Sequence, residues 1–208
     1  MGIASGNTVP NARNIVRRLY DWVLSWAEST YGTVALFLLA FAESSFFPIP
    51  PDVLLIALAI SIPTKAFRYA LICTLGSLLG GICGYMIGFY GYEMIGRPII
   101  DLYNAHELMA NIKAKYDTYG FWGVLVAAIT PIPYKVFTIS SGFFSFNFIE
   151  FFSASVVGRT LRFFAVAGLI WKFGPSIKNF IDKYFNLLAI IFVILLILGF
   201  VVIKYATT

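Results

Sequence analysis

The chain has 208 residues, 60% of them hydrophobic and 12% charged, with a formal net charge of +5. Water-soluble domains carry about 25% charged residues, and the mean hydropathy here is +0.84. The composition excludes a soluble globular domain and leaves a single integral membrane domain, residues 1–208, whose modest positive charge bears on membrane orientation and not on nucleic acid.

From the N-terminus, residues 13–29 read as an interfacial helix. Ile15, Leu19, Trp22, Val23 and Trp26 recur at helical spacing, opposite Arg17, Arg18, Asp21 and Glu28. No signal peptide is expected, because this start is polar to Tyr20. MGIASG also misses the myristoylation pattern at Gly6. Tyr31-Gly32 opens an apolar run to Phe47, PIPP (48–51) breaks it, and a short run continues to Ile62 before Pro63 and Lys65. Residues 66–90 have the length and apolarity of a spanning helix. Gly76, Ser77, Gly80, Gly81, Gly84 and Gly88 give it a small-residue face that a neighbouring helix can approach closely.

The order then recurs. Residues 105–118 read as an amphipathic helix with Leu108, Ile112 and Tyr116 on one face. Tyr119-Gly120, an apolar run to Thr130, PIP (131–133), another run to Phe148 and a second spanning segment (148–172) follow. The spacing predicts an internal repeat, 13–90 and 105–172. A basic stretch (174–184) and a last spanning helix (185–203) lie outside it.

The arms around the prolines are too short to cross a bilayer. The arm after Pro51 has 11 residues, about 16 Å of helix against the ~30 Å of a hydrocarbon core. Each unit therefore reads as a hairpin that dips to mid-membrane and returns. Pro48, Pro50 and Pro51 form one tip, and Pro131 and Pro133 the other. This topology puts Arg13, Arg17, Arg18, Lys65, Arg68, Lys172, Lys178 and Lys183 on one side. Arg97, Lys113, Lys115 and Lys204 lie on the other, among Glu93, Asp101, Glu107 and Asp117. The positive-inside rule makes the first side cytoplasmic. The predicted fold is all-α: an inverted repeat of two re-entrant helical hairpins, each followed by a transmembrane helix, with a C-terminal transmembrane helix and interfacial helices.

Glu43, Asp52, Lys135, Arg159 and Arg162 remain at membrane depth, where an isolated charge costs at least ~2.5–3.5 kcal/mol. Either they pair to hold hairpins to helices, or they line a cavity for an anionic headgroup such as a phosphate. In the second reading Lys135, Arg159 and Arg162 bind the headgroup, Ser140 and Ser141 add hydrogen bonds, and Glu43 and Asp52 exchange protons. Cys73 and Cys83 read as packing. With only His106 and no Cys-x-x-Cys, neither metal nor cofactor is expected.

"FAESSFFPIPPDVLL" (41–55) and "YGFWGVLVAAITPIPYKVFTISSGFF" (119–144) resemble the DedA family, also called the VTT or SNARE-associated membrane-protein family, and its YqaA-like branch most of all. The family pattern carries an arginine before the second pair of prolines and another after it. Here Ala127, Ala128 and Ile129 precede Pro131, Lys135 takes the later position, and Arg159 is the residue expected to supply the missing charge. The resemblance implies facing re-entrant hairpins, a bacterial inner-membrane location and lipid transport dependent on the proton-motive force. Some members are similar to undecaprenyl-phosphate or phosphatidylethanolamine flippases, and eukaryotic relatives scramble phospholipids.

The leading expectation is a transporter of phospholipid or polyprenyl phosphate between leaflets, with membrane lipids and protons as partners and a homo-oligomer compatible with the glycine face. A proton-coupled carrier of small solutes, an intramembrane lipid-phosphate enzyme and a purely structural protein are the alternatives. An enzyme is disfavoured because no nucleophile–base pair surrounds His106. Reporters fused at the N-terminus and inserted within 63–68 should both report the cytoplasm; opposite sides would overturn the topology.

Overall fold

The computed structural model describes residues 31–46, 49–103, 106–130 and 132–174. The interfacial helix at 13–29, Pro48, Pro131, the C-terminal helix at 185–203 and nearly all of the 174–184 stretch lie outside the described residues, as do Arg13, Arg17, Arg18, Lys178, Lys183 and Lys204. Among the described residues every regular element is helical: α1 (Gly32–Ser45), α2 (Asp52–Ser61), α3 (Ala66–Gly91), α4 (Arg97–Leu102), α5 (His106–Ile129), α6 (Tyr134–Phe143) and α7 (Phe148–Phe173).

The proline knots end helices as their chemistry requires. α1 closes with the Phe46 N–H donating to the Ala42 carbonyl at 2.9 Å. Beyond it, prolines supply no N–H, and residues that precede a proline are disfavoured in the helical region. α2 starts directly after Pro51 and places Asp52 in its first turn, where the positive end of the helix favours an anion. Pro63 ends it and opens one tight turn, Pro63–Lys65, before α3. In the second unit Thr130 donates its N–H to Val126 at 2.9 Å, and α6 resumes after Pro133.

Two predicted boundaries move. Tyr119-Gly120 does not interrupt the chain: α5 runs unbroken over 24 residues and joins the amphipathic stretch to the apolar arm. Nor does the arm after Pro133 extend to Phe148. α6 stops at Phe143 and is wrapped by Ser145 N–H to the Gly142 carbonyl and Phe146 N–H to the Ser141 carbonyl, each 2.9 Å. Ser145 takes the left-handed position (φ 52°) usually held by glycine in this type of helix end. Asn147 then caps α7, its Oδ1 accepting from the N–H groups of Ile149 (2.9 Å) and Glu150 (3.2 Å). A further helical stretch continues past α3 through a wide turn, Tyr92–Gly96, into α4.

α3 and α7 have 26 residues each, about 39 Å. Pro63–Leu102 and Phe148–Phe173 are long and apolar enough to cross a membrane. α2 and α6, with 10 residues each, reach about 15 Å. Leu71, Leu75, Leu79 and Met86 of α3, with Leu161, Leu169 and Trp171 of α7, are exposed, as lipid-facing surfaces are.

Packing crosses between the units. α1 lies on α3, and α5 on α7, each arm against its own long helix. The arms after the breaks go to the other unit as well: α2 packs on α7, and α6 on α3. The stripe Gly76, Gly80, Gly84, Gly88 permits this. A Cβ at Gly76 would stand 2.5 Å from the Phe37 carbonyl oxygen of α1. At Gly80 it would meet the Phe41 carbonyl, at Gly84 the Thr138 hydroxyl, and at Gly88 the Ile139 carbonyl of α6. Thr138 also donates to the Ser44 carbonyl at 3.0 Å, tying α6 to α1.

Gly88→Leu should therefore lower stability by about 1–3 kcal/mol through overpacking, read as an earlier thermal transition in detergent. Gly91→Ala, with nothing within 4 Å, should leave it unchanged. Equal behaviour of the two variants would contradict the backbone-level contact.

Candidate functional site

Arg159 and Arg162, three residues apart on α7, project towards the two proline breaks. Arg159 is 3% exposed. Its Nη2 donates to Glu43 Oε2 at 2.6 Å and to Ser44 Oγ at 3.3 Å, and its Nε donates to Ser77 Oγ. Ser44 and Ser77 share a hydrogen bond of 2.7 Å, and Ser44 also donates to Glu43 at 3.2 Å. The guanidinium lies over the rings of Tyr134 and Phe163, with its carbon 4.7 Å from each centroid. Two aromatic faces and an anion thus replace the water that a buried cation needs.

Arg162 engages a different set of elements. Its Nη2 donates to Asp52 Oδ2 at 2.8 Å. Its Nη1 donates to the carbonyls of Thr130 (2.8 Å) and Ile129 (3.3 Å) at the end of α5. The last four carbonyls of a helix lack intrahelical partners, and Pro133 brings no N–H to the break. Arg162 fills that place. Among the described residues its buried Nε has no hydrogen-bond partner.

Glu43, Asp52, Arg159 and Arg162 line one cavity of about 280 Å³ together with Pro50, Thr130, Ile132 and Pro133. Two carboxylates face two guanidinium groups, so the ionised lining is neutral. The breaks of both units meet here, 80 residues apart in sequence if counted from Pro50 to Thr130.

Three other expected site residues sit elsewhere. Lys135 is half-buried at the start of α6, outside the cavity lining. Ser141 is buried and Ser140 half-buried; both lie 3.2 Å from the Tyr116 hydroxyl. Ser140 also donates to the Val136 carbonyl. These serines belong to a polar knot between α5 and α6. Pro50 and Pro133 line the cavity, and Pro51 is buried at the head of α2. Cys73 and Cys83 are free thiols, and no His/Cys/Asp/Glu cluster that could hold a metal occurs among the described residues.

The partners that sequence reasoning missed are Ser44, Ser77, Tyr134, Phe163 and the two α5 carbonyls. Ser44 adjoins an acid, and Ser77 interrupts an apolar spanning segment, so both carried a signal. Main-chain carbonyls carry none.

Arg159→Met should leave Glu43 buried without its cation and cost about 3 kcal/mol. Adding Glu43→Gln should recover much of that loss. A single variant as stable as the wild type in thermal unfolding would show that the pair is not buried in the membrane-embedded protein.

The VTT domain model matches residues 49–172. An uncharacterized protein of Haemophilus influenzae is 33% identical over 186 residues, covering 89% of this chain and 96% of its own. An uncharacterized protein of Methanocaldococcus jannaschii is 26% identical over 133 residues, 64% of this chain and 79% of its own. Undecaprenyl phosphate transporter A of Staphylococcus aureus is 23% identical over 155 residues, 70% of this chain and 71% of its own. No solved structure gives a significant match. The match over more than half of the sequence, with its two long apolar helices, makes this chain a membrane protein that belongs to the VTT-domain (DedA) family.

Proposed function

We propose that this protein carries the phosphate-bearing headgroup of a lipid, a phospholipid or a polyprenyl phosphate, between the leaflets of a bacterial inner membrane. The observation that carries the reading is the single cavity in which Arg159–Glu43 and Arg162–Asp52 face each other where the two proline breaks meet. The similarity to an undecaprenyl phosphate transporter supports it. A cavity of about 280 Å³ suits a headgroup and not a whole lipid, being below the ~300–1,000 Å³ of sites that enclose drug-sized ligands. The acyl or prenyl chain would stay in the bilayer.

In this reading both helix–break–helix units are re-entrant and related by inversion. The arms after the breaks, about 15 Å each, and the exchanged packing of α2 on α7 and α6 on α3 support that arrangement. The long helices carry the net crossings, and the N-terminus faces the cytoplasm.

The chemistry follows from competition for one guanidinium. A phosphate oxygen entering the cavity needs a cation, and Arg159 already holds the Glu43 carboxylate. If the phosphate takes that place, Glu43 becomes a lone anion against apolar walls, and uptake of a proton relieves it. Release of the headgroup reverses the exchange. Headgroup binding and proton binding are thereby linked at Glu43.

Proteoliposomes holding the purified protein should move fluorescent phospholipid headgroups between leaflets. Glu43→Gln, whose amide oxygen still accepts from Arg159, should fold but lose that movement. Wild-type transport by this variant would remove the proton role. Substrate-driven pH change without lipid movement would point to a small-solute carrier instead.

A further inference from the structure

The two ion pairs in the cavity look alike in distance but differ in what each would strand if it opened. Among the described residues every acceptor around Arg159 is a side-chain oxygen: Glu43 on α1, Ser44 on α1 and Ser77 on α3. The serines already bond to each other at 2.7 Å, so they stay satisfied if the guanidinium turns away. The rings of Tyr134 and Phe163 go on covering its charge. Arg159 can exchange partners without leaving a buried main-chain group unpaired.

Arg162 cannot. It holds two main-chain carbonyls of α5 and the Asp52 carboxylate of α2 at once. Those groups flank the breaks of the two units. Main-chain carbonyls cannot turn away, and the half-buried Thr130 carbonyl, at a helix end with no intrahelical donor, is costly to leave unpaired. A guanidinium, with donors on a rigid fork, suits three acceptors on two elements.

We propose that Arg162 is a positioning residue that ties the two proline breaks together through Asp52 and the Thr130 carbonyl, so that only the Arg159–Glu43 pair opens to admit a headgroup. Asp52 then acts as an acceptor, not as a proton carrier. This rests on the transport reading only in what enters the cavity; the division of roles follows from the acceptors. The ionisable groups surrounding Glu43 are Arg159 and Arg162 on α7, Asp52 on α2, Cys73 on α3 and Tyr134 on α6. Asp52, the one carboxylate among them, is held by the fixed clamp.

The test reads access to the cavity, independently of any substrate. Ile132→Cys is placed in a Cys83→Ala chain in membrane vesicles, and its labelling by a water-soluble maleimide is timed from pH 5.5 to 8, corrected for intrinsic thiolate reactivity with a free-thiol standard. The corrected rate should change with pH as the Arg159 pair opens. Asp52→Asn, which still accepts from Arg162, should keep that profile. Glu43→Gln should flatten it, and Arg162→Gln should raise labelling severalfold at every pH. A flat wild-type profile, a profile flattened by Asp52→Asn, or unchanged labelling in Arg162→Gln would each overturn the proposal. If Arg162→Gln does not fold, the comparison of Asp52→Asn with Glu43→Gln decides alone. Absence of headgroup movement in liposomes, with the labelling as expected, would remove the transport reading and leave the clamp standing.

Discussion

A cation buried to 3% exposure in an apolar helix is the constraint on which the rest of this structure depends. Arg159 sits within a spanning segment, and a lone charge there is strongly disfavoured. The fold answers with an anion from α1, hydroxyls from α1 and α3, and aromatic faces from α6 and α7. Four helices must converge on one group. That convergence fixes where α1 ends and how closely α6 approaches α3, and the glycine stripe of α3 makes both approaches sterically possible.

The proline breaks pose the second problem. A helix halted at membrane depth exposes carbonyls that lipid cannot satisfy. Arg162 serves the end of α5, and Asp52 at the head of α2 joins the same guanidinium. The irregular backbone at the breaks borders a cavity lined by charged side chains. The features that make the breaks affordable in energy also build the charged cavity.

Two hydroxyl knots outside the cavity show the same economy of partners. Tyr116 gathers Ser140, Ser141 and the Phe137 carbonyl between α5 and α6, and Tyr85 donates to the Phe146 carbonyl at 2.7 Å in the link before α7. Both fasten α6 at the end away from the break. Residues read as headgroup ligands from their position after Pro133 are occupied there in holding a short arm in place.

The spanning helices were legible because length and apolarity are local properties: 66–90 and 148–172 lie within one residue of α3 and α7 at each end. Both proline breaks are legible for the same reason, since proline lacks a donor, and so are the few charges within apolar runs, of which Arg159 is the buried one. Tyr119-Gly120 is not the boundary its composition suggests: α5 runs through it, and glycine is tolerated where a neighbour, here Phe146, presses close. The pairing of charges lay beyond the sequence. Glu43 and Arg159 are 116 residues apart, Asp52 and Arg162 110, and only the packing of helices decides which acid meets which base. Sequence thus determined the class of protein, its long helices and the few charges set in apolar runs. Tertiary structure alone decided that Lys135 stands outside the cavity and that main-chain carbonyls claim Arg162, because those facts depend on distances between elements that no local pattern encodes.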